Sequence, residues 1–300
     1  MTYARVDFTT YVVISIWFGC NNDCSICMLG DLKRRMSGIA REEYLRLLTE
    51  IRSRGQHENL ILSGAEVTTF EGLEGYVEDA ARLGWFKRLQ IQTNGRRLAE
   101  PGYAARLVAR GLNEFFVSVQ GLEPTHDRVT RRAGAFRETM AGLKTVAALH
   151  TNVISATVLT RESLPDVPEL VSRLVGEGVG ELQLWNFFPM EPTDTRDLVV
   201  RVPELLRMLE GLRPILLRAG KPLVLKGFPQ CLAPEAPIFF DSLFPATVLP
   251  QLFWHQFSQS GWGGCVWRDA GRCRSQECWG LSKAYLAKYG DERALLTPLG

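Results

Sequence analysis

The chain has 300 residues, of which 46% are hydrophobic and 23% are charged, with 35 basic against 33 acidic side chains. A formal net charge of +2, with both signs mixed along the chain, excludes an obvious polybasic surface for nucleic acid. The best apolar run, residues 11–18, is too short to span a membrane and lacks the features of a signal peptide. We therefore expect a cytoplasmic globular protein, with neither nucleic acid nor membrane as a partner. Its length suits one large α/β domain with an appendage, or two small domains.

Short runs rich in Val, Ile and Phe alternate with longer amphipathic stretches over most of the chain. Six strands are predicted, over residues 11–17, 59–63, 88–92, 114–120, 153–159 and 182–187. The helices predicted between them cover residues 41–54, 73–83, 101–110, 136–149 and 167–175. Several end at a glycine, a residue that commonly follows a helix: Gly55, Gly84, Gly111 and Gly176. This alternation of strand and helix predicts a parallel sheet.

Small or polar side chains recur at every second position of the third, fourth and fifth predicted strands, so they share one face of each strand. They are Gln90, Gln92 and Asn94, then Ser118 and Gln120, then Ser155 and Thr157. A flat sheet with helices on both sides would have two apolar faces. The pattern instead favours a curled, incomplete barrel with a polar lumen, that is, a partial (β/α)6 barrel of the TIM type.

The last third of the chain has a different character. A helix over residues 202–219 and a short strand over residues 222–225 are predicted, and prolines interrupt the pattern further on. The βα rhythm breaks between residues 190 and 227, which indicates a domain boundary. We expect a barrel core over residues 1–200 and a small cysteine-rich extension over residues 201–300.

Seven cysteines form two groups, separated by a long stretch that contains none. The first group is Cys20, Cys24 and Cys27, and the second is Cys231, Cys265, Cys273 and Cys278. An odd count in a chain without a signal peptide argues against a disulfide framework. Groups of three and four thiols favour metal or iron–sulfur ligation instead.

The three-cysteine loop directly follows the first predicted strand, at the end of the strand where α/β proteins form their sites. Three thiolates can ligate three irons of a [4Fe–4S] cube, which leaves the fourth iron open to a substrate or cofactor. The alternative is a zinc site with a distant fourth ligand. None of the four histidines has zinc-finger spacing from the loop.

The C-x3-C-x2-C spacing resembles the signature of the radical S-adenosylmethionine (SAM) enzymes, and three further matches follow at the expected strand ends. Residues 63–66, Ser-Gly-Ala-Glu, resemble the family's Gly-Gly-Glu motif, and residues 93–95 resemble its Thr-Asn-Gly. A third segment resembles the one that holds the ribose and carboxylate of SAM, and it comprises Ser118, Val119, Gln120, Gly121, His126, Asp127, Arg131, Gly134 and Phe136. The resemblance covers roughly residues 10–190.

The resemblance implies that the three-cysteine loop binds a [4Fe–4S] cluster whose open iron is chelated by the amino and carboxylate groups of SAM. The residues implied to contact this cofactor are Gly64, Ala65, Glu66, Asn94, Ser118 and Arg131. One electron from the cluster would cleave SAM to methionine and a 5′-deoxyadenosyl radical. That radical would abstract hydrogen from a substrate held in the barrel lumen.

Three positions depart from the family pattern. Ala65 adds a methyl group where the second glycine is usual, and Ile26 replaces an aromatic residue that usually contacts adenine. Gln120 stands where an aspartate commonly follows the ribose-contacting serine. The first two leave the cofactor contacts plausible, and the third suggests an unusual substrate side of the cavity.

The four tail cysteines have three interpretations: an all-thiolate zinc site, a second iron–sulfur cluster, or unrelated thiols. Their spacing, Cys265-x7-Cys273-x4-Cys278, is dense but too irregular for a ribbon-type zinc site. Together with Cys231, it resembles the SPASM/twitch extension of radical SAM enzymes. That resemblance implies one auxiliary [4Fe–4S] cluster, which either accepts an electron from the substrate radical or stabilises a proline-rich tail.

The implied function is hydrogen abstraction from an organic substrate, a small metabolite or a peptide, in natural-product biosynthesis or maturation. A flavodoxin- or ferredoxin-type protein is the implied electron donor. Gln92, Gln120 and Asn186, at strand ends, are candidate polar contacts to the substrate. The alternative is a zinc- or cluster-stabilised interaction or electron-transfer protein without SAM chemistry, which would not need the strand-end motifs.

Overall fold

The structure is a computed structural model that describes residues 5–232, 235–241, 243–259, 265–275 and 278–299. Its strands are β1 (Tyr11–Trp17), β2 (Asn59–Gly64), β3 (Arg88–Thr93), β4 (Glu114–Ser118), β5 (Asn152–Leu159), β6 (Glu181–Asn186), β7 (Leu223–Lys226), β8 (Ile238–Asp241) and β9 (Ala246–Val248). Its α-helices are α1 (Arg41–Arg54), α2 (Leu73–Arg82), α3 (Tyr103–Ala109), α4 (Glu123–Thr130), α5 (Ala135–Ala148), α6 (Val167–Gly176), α7 (Val202–Ala219), α8 (Gln251–Gln259), α9 (Val266–Asp269) and α10 (Lys283–Tyr289). Among the described residues, no helix combines the length and apolar character needed to cross a membrane.

The strands form one nine-stranded sheet in the order β8-β7-β6-β5-β4-β3-β2-β1-β9, and every neighbouring pair is parallel. The α/β barrel predicted from the sequence is thereby confirmed, and all six predicted barrel strands form. The short strand expected after the long helix is β7. Strands β8 and β9 were not predicted, because four and three residues are too few to show a clear alternation.

The two edges of the sheet meet at a seam. β8 pairs with β7 at one edge and β9 pairs with β1 at the other, although only residues 242–245 separate β8 from β9 in the sequence. At this seam the fully buried ammonium of Lys226 donates to the Asp241 carboxylate at 2.5 Å and to the Leu243 carbonyl oxygen at 2.7 Å. It also lies 4.5 Å from the ring centroid of Phe8. Because only four residues of sequence separate the two edge strands, the sheet must curl into a barrel. Lys226 contacts both sides of the seam, β8 through Asp241 and the turn just before β1 through Phe8.

The two faces of the sheet bury different sets of residues. Outward-facing residues such as Ile14, Leu62 and Ile91 pack with the surrounding helices in the main core. A separate inner cluster fills the amino-terminal end of the barrel, and it consists of Phe8, Tyr11, Val13, Ile61, Phe116, Ile154 and Ala156. Apolar packing therefore fills the lumen at this end, and the three-cysteine loop lies at the opposite end, where the carboxyl ends of the strands meet.

The prediction of a polar lumen is right for β3 and β4 but wrong for β5. In register, Ser155 lies between Val117 and Leu182, which belong to the outer core, so Ser155 faces the helices. Thr157 also faces outward, and its hydroxyl is satisfied by donating to the Val119 carbonyl oxygen at 2.7 Å. Buried hydroxyls with a main-chain partner are tolerated in a core, so alternation alone assigned the wrong face to this strand.

Candidate functional site

The three-cysteine loop begins immediately after β1. Cys20 is exposed, whereas Cys24 and Cys27 are half-buried. Burial raises the pKa of the Cys24 thiol to about 12, and the neighbouring thiols of Cys27 and Cys20 raise it further. The backbone N–H of Asn22 donates to the Cys20 sulfur at 3.4 Å. Three thiols within electrostatic reach of one another form a donor set whose ionised state needs a nearby cation, as a metal centre provides.

A buried arginine holds this loop against the end of β3. Arg96 donates through Nη1 to the Asn21 carbonyl oxygen and to Asn22 Oδ1, each at 2.7 Å, and through Nε to Glu138 at 2.6 Å. Asn94, one of the expected cofactor contacts, donates through Nδ2 to Asn21 Oδ1 at 2.6 Å. The sequence reasoning did not single out Arg96. The available signal was its position directly after the Thr-Asn-Gly motif.

The other side of the loop is bound to the end of α4. The backbone N–H of Asp23 donates to the Thr130 carbonyl oxygen at 3.1 Å, and that of Ser25 to the Val129 carbonyl oxygen at 2.8 Å. Arg131 follows with φ of +53°, and its guanidinium lies 3.6 Å from the Asp23 carboxylate. The loop is thus fixed from two sides, and Arg131 lies at its rim.

The Ser-Gly-Ala-Glu motif at the end of β2 has a backbone that requires glycine. Gly64 has φ of +140°, and a Cβ there would lie 1.9 Å from the Trp17 carbonyl oxygen. The next two N–H groups, of Ala65 and Glu66, donate to the carbonyl oxygens of Trp17 at 2.8 Å and Gly19 at 3.0 Å. The motif therefore pairs with the segment that leads from β1 into the three-cysteine loop. The methyl group of Ala65 is accommodated in a half-buried position.

The carboxylate of Glu66 is fully buried and links the ends of β2 and β3. It accepts hydrogen bonds from Thr93 Oγ1 and the Asn94 N–H, both at 2.6 Å, and from the Thr68 N–H at 3.1 Å. Burial raises the pKa of Glu66, and these donors act in the opposite direction. Glu66 is thus engaged inside the protein, whereas the other three residues of its motif, Ser63, Gly64 and Ala65, are half-buried.

Two of the three polar residues expected to contact substrate are engaged with the main chain. Gln120 is buried, and its Oε1 accepts from the Val158 N–H at 2.9 Å, which extends the β4–β5 pairing beyond Ser118. Asn186 donates to the Gly227 carbonyl oxygen at 3.0 Å. Gln92 is half-buried and accepts from the Ser63 hydroxyl at 2.8 Å.

Gln120, two residues beyond β4, also contacts His126, a buried histidine of the segment that resembles the one holding the ribose and carboxylate of SAM. The Gln120 N–H donates to His126 Nδ1 at 3.0 Å, and the His126 side chain has no exposed surface. Burial lowers the pKa of His126 to about 4, so the imidazole is neutral. His126 therefore fixes the turn between β4 and α4, whose carboxyl end binds the cysteine loop.

A cleft of about 550 Å³ lies between the three-cysteine loop and residues 187–196. Its lining includes Cys24, Cys27 and Arg131, together with Asp194 and Arg196 from the opposite wall. Cys20 lines a separate depression on the other side of the loop. Five expected cofactor contacts, at the neighbouring strand ends, are outside the lining of the cleft: Gly64, Ala65, Glu66, Asn94 and Ser118.

The four tail cysteines line one small cavity, although they are up to 47 positions apart in the chain (278 minus 231). Burial raises the pKa of the Cys231 thiol to about 11, with further contributions from Cys278, Cys265 and Cys273. The backbone N–H groups of Gln230 and Gly280 donate to the Cys278 sulfur at 3.4 and 3.3 Å. Within the described ranges, no three Cys, His, Asp or Glu side chains are grouped closely enough to hold one metal ion, in the tail or in the three-cysteine loop.

Comparisons with known proteins agree with this geometry. Residues 14–174, more than half of the chain, match the family model described as the radical SAM superfamily. A GTP 3′,8-cyclase of Petrotoga mobilis is 26% identical over 203 residues, which cover 67% of this chain and 57% of that protein. The sporulation killing factor maturation protein SkfB of Bacillus subtilis is 23% identical over 159 residues, or 53% of this chain and 38% of SkfB.

The fold is also shared with a solved structure, Streptococcus suis SuiB bound to its precursor peptide SuiA. The TM-score is 0.60 at 14% identity, and the match covers 84% of this chain and 51% of SuiB. The chain thus spans only about two fifths to three fifths of the length of these three proteins. The family match, supported by the cysteine loop at the end of β1, shows that the chain belongs to the radical SAM superfamily.

Proposed function

We propose that this chain is a radical SAM enzyme whose three-cysteine loop holds a [4Fe–4S] cluster, with SAM bound beside that cluster, between the neighbouring strand ends and the adjoining cleft. When bound, the cluster and SAM supply the 5′-deoxyadenosyl radical that abstracts hydrogen from the substrate. The observation that carries the proposal is the set of three cysteines at the carboxyl end of β1, in a chain that belongs to this family. Cys24 and Cys27 both line the cleft, next to Arg131.

The residues around the loop have supporting roles in this proposal. Arg96 and Asn94 hold the segment between Cys20 and Cys24 through hydrogen bonds of 2.6 to 2.7 Å. Arg131, at the rim of the cleft, supplies a positive charge that suits the carboxylate of SAM. The half-buried main chain of Gly64 and Ala65 supplies polar groups beside the loop. Together these residues orient the cofactor, while the apolar floor of the barrel keeps water out from below.

We further propose that the reacting part of the substrate is uncharged. Strand residues that face the lumen above its floor, and are half-buried, are Ser63, Gln92, Ser118, Val158 and Trp185, all neutral. Three charged groups on the inner face are engaged: Glu114 accepts from the Tyr11 hydroxyl at 2.8 Å, Glu181 accepts from Gln183 Nε2 at 2.6 Å, and Lys226 binds Asp241. Such a surface favours a peptide side chain or a neutral metabolite over a nucleoside triphosphate.

The tail cysteines are proposed to hold one auxiliary [4Fe–4S] cluster. This rests on the single cavity that all four thiols line and on the two N–H groups that donate to the Cys278 sulfur. Hydrogen bonds of this kind stabilise and tune cluster-bound thiolates. A flavodoxin- or ferredoxin-type donor in a reducing cytoplasm would supply the electron for the first cluster.

The proposal is tested by anaerobic reconstitution with iron and sulfide, reduction, and assay for 5′-deoxyadenosine. We expect the wild type to form this product, Cys24→Ala to form none, and the matched loop variant Ser25→Ala to form it at a similar rate. Failure of the fully loaded, reduced wild type to form 5′-deoxyadenosine would contradict the proposal, as would zinc without sulfide in the purified protein.

The proposal that the reacting part of the substrate is uncharged has its own test. Short neutral peptides should stimulate formation of 5′-deoxyadenosine more than GTP does. Stronger stimulation by GTP would contradict an uncharged reacting group.

A further inference from the structure

The wall of the cleft that faces the three-cysteine loop is irregular. Residues 187–201 connect β6 to α7 without a helix or strand of their own, and we call this segment the cleft wall. Phe187 anchors one end of it in an apolar cluster that also includes Ile26 of the cysteine loop. Because an irregular segment has no regular hydrogen-bond ladder, its position depends on contacts with its neighbours.

Asp194 is the main polar anchor of the cleft wall. Its side chain is 2% exposed, and it accepts from the N–H groups of Leu198 and Val199, both at 2.9 Å. Its remaining partner is Lys288 of α10, whose ammonium lies 2.6 Å away and also binds Asp197. The turn that shapes the cleft wall is therefore built on a buried carboxylate whose charge is balanced from α10.

Two tyrosines of α10 contact the cleft wall and the first residue of α7, which directly follows it. The Tyr289 hydroxyl donates to the Val199 carbonyl oxygen at 3.1 Å, and the Tyr285 hydroxyl accepts from the Val202 N–H at 2.9 Å. The Tyr285 ring also packs into the apolar cluster that includes Phe187. One face of a two-turn helix thus holds the cleft wall at several successive points.

The amino-terminal end of α10 adjoins the tail cysteines. Ser282 caps the helix by accepting from the Tyr285 N–H at 3.1 Å, and Leu281 and Gly280 line the same cavity as Cys278. Cys24 and Cys231, one from each cysteine group, both pack against the apolar cluster to which α10 contributes. The helix therefore connects the tail-cysteine cavity to the cleft wall through covalent and packing contacts.

We propose that α10 couples the tail-cysteine cavity to the cleft, and that Lys288 is the positioning residue through which it does so. The inference rests on the proposed function for the identity of the cleft's ligand, although the coupling itself is a property of this chain. Filling the tail cavity fixes the start of α10, α10 holds Asp194 through Lys288, and Asp194 sets the shape of the wall that SAM and substrate meet. The tail site thereby raises the affinity of the cleft for SAM, and this effect requires no electron transfer.

The test compares three full-length variants with both sites reconstituted: Lys288→Met, Lys288→Arg, and Lys283→Met, which removes the same charge from an exposed position on the same helix. Hydrogen exchange is measured over residues 187–201, and SAM affinity is measured at equilibrium. We expect Lys288→Met to speed exchange of the Leu198 and Val199 amides at least fivefold and to weaken SAM binding at least threefold. Iron content should be unchanged, and Lys288→Arg should restore most of both losses.

A second arm measures the coupling directly. Cys265→Ala combined with Cys273→Ala should speed exchange over residues 187–201 in the wild-type background, and should change it little once Lys288→Met is present. Equal exchange in Lys288→Met and Lys283→Met would overturn the proposal, as would faster exchange throughout the protein or additive effects of the tail and Lys288 variants. If the wild type bound no SAM, the proposed function would fail, while the exchange results would still decide the coupling.

Discussion

The guanidinium of Arg96 lies 2.7 Å from the carbonyl oxygen of Asn21, the residue that follows the first cysteine of the loop. This contact joins the turn after β3 to the turn after β1. Glu138 of α5 completes the arrangement by accepting from Arg96 Nε at 2.6 Å. The spacing of the thiols is therefore set by a side chain far away in sequence as well as by the loop itself.

Replacing this arginine should weaken cluster assembly. The Arg96 side chain is 7% exposed. Arg96→Met removes its charge and leaves the Asn21 carbonyl oxygen without the hydrogen bond that Arg96 donates. We expect a loss of about 2 kcal/mol in the free energy of unfolding, below the range for fully buried pairs because Glu138 is half-exposed. Iron bound by the three-cysteine loop should fall at the same time. Denaturant titration and iron analysis measure both effects.

The matched control is Arg137→Met, which breaks the surface pair between Arg137 and Glu123. Arg137 is 76% exposed, so a change of at most about 1 kcal/mol is expected, with normal iron content. Equal iron content in the Arg96 and Arg137 variants would show that the buried contact does not shape the cysteine loop.

The backbone at Gly64 should tolerate no side chain. In Gly64→Ala the new Cβ would meet the Trp17 carbonyl oxygen at 1.9 Å, with φ at +140°, so the strand end must move. We expect a loss of about 3 kcal/mol or more in the free energy of unfolding. Gly75→Ala, in α2 with open space around it, should stabilise the protein by about 0.5–1 kcal/mol. Urea denaturation of the two variants compares them, and a similar loss in both would refute the close approach at Gly64.

The buried imidazole of His126 predicts a pH dependence of stability. Its pKa is about 4 in the folded chain, against an ordinary value of 6.5, so the unfolded chain binds the proton more readily. This contribution to stability is complete above pH 6.5 and is lost as the pH falls towards 4. It amounts to about 2 kcal/mol between pH 7.5 and pH 5.

The variant His126→Gln keeps an acceptor for the Gln120 N–H but cannot be protonated. It should therefore lose about 2 kcal/mol less stability than the wild type over that interval. Exposed His150 provides the control, since His150→Gln should leave the wild-type pH dependence intact. Urea titrations of cluster-free protein at several pH values measure the difference, and parallel curves for His126→Gln and wild type would contradict the prediction.

Removal of two tail cysteines should lower the iron content per chain by the amount that one cluster holds. In Cys265→Ala combined with Cys273→Ala, iron should fall by about four atoms per chain after reconstitution. Ser275→Ala, which alters the same cavity without removing a thiol, should retain the full amount. A loss of about eight atoms would indicate a second tail cluster, and no loss would exclude the proposed one.

The same double variant distinguishes an electron-accepting role of that cluster from a purely structural one. An electron acceptor predicts soluble protein that still forms 5′-deoxyadenosine but stalls before an oxidised product. A structural role predicts insoluble protein, because a bound cluster would then hold the tail together. Unchanged turnover to the final product would exclude the electron-acceptor role.

The parts of the site that could be predicted from sequence are those that depend only on the type of residue and on short spacings along the chain. The cysteine groups and Gly64 belong to this class, since thiol chemistry and the freedom of glycine do not depend on distant neighbours. Arg96 could not be found in this way, because its role depends on where β3 and β1 end in space. The prediction for Ser155 and Thr157 places them on the wrong face of β5. Alternation shows that they share a face but not which one, and a hydroxyl with a hydrogen-bond partner is tolerated on either face.

The seam between β8 and β9 also bears on how the tail can be exchanged between proteins. β9 pairs with β1, the first strand of the barrel, so the chain returns to its own beginning before it reaches Cys265. Truncating the chain near residue 200 would remove three strands of the barrel, β7, β8 and β9, together with the tail cysteines. It would also expose the edges of β1 and β6. A join placed after Val248 would keep every described strand of the barrel in the same protein. Recombination among relatives, and chimaeras made in the laboratory, should therefore succeed when the join lies beyond β9.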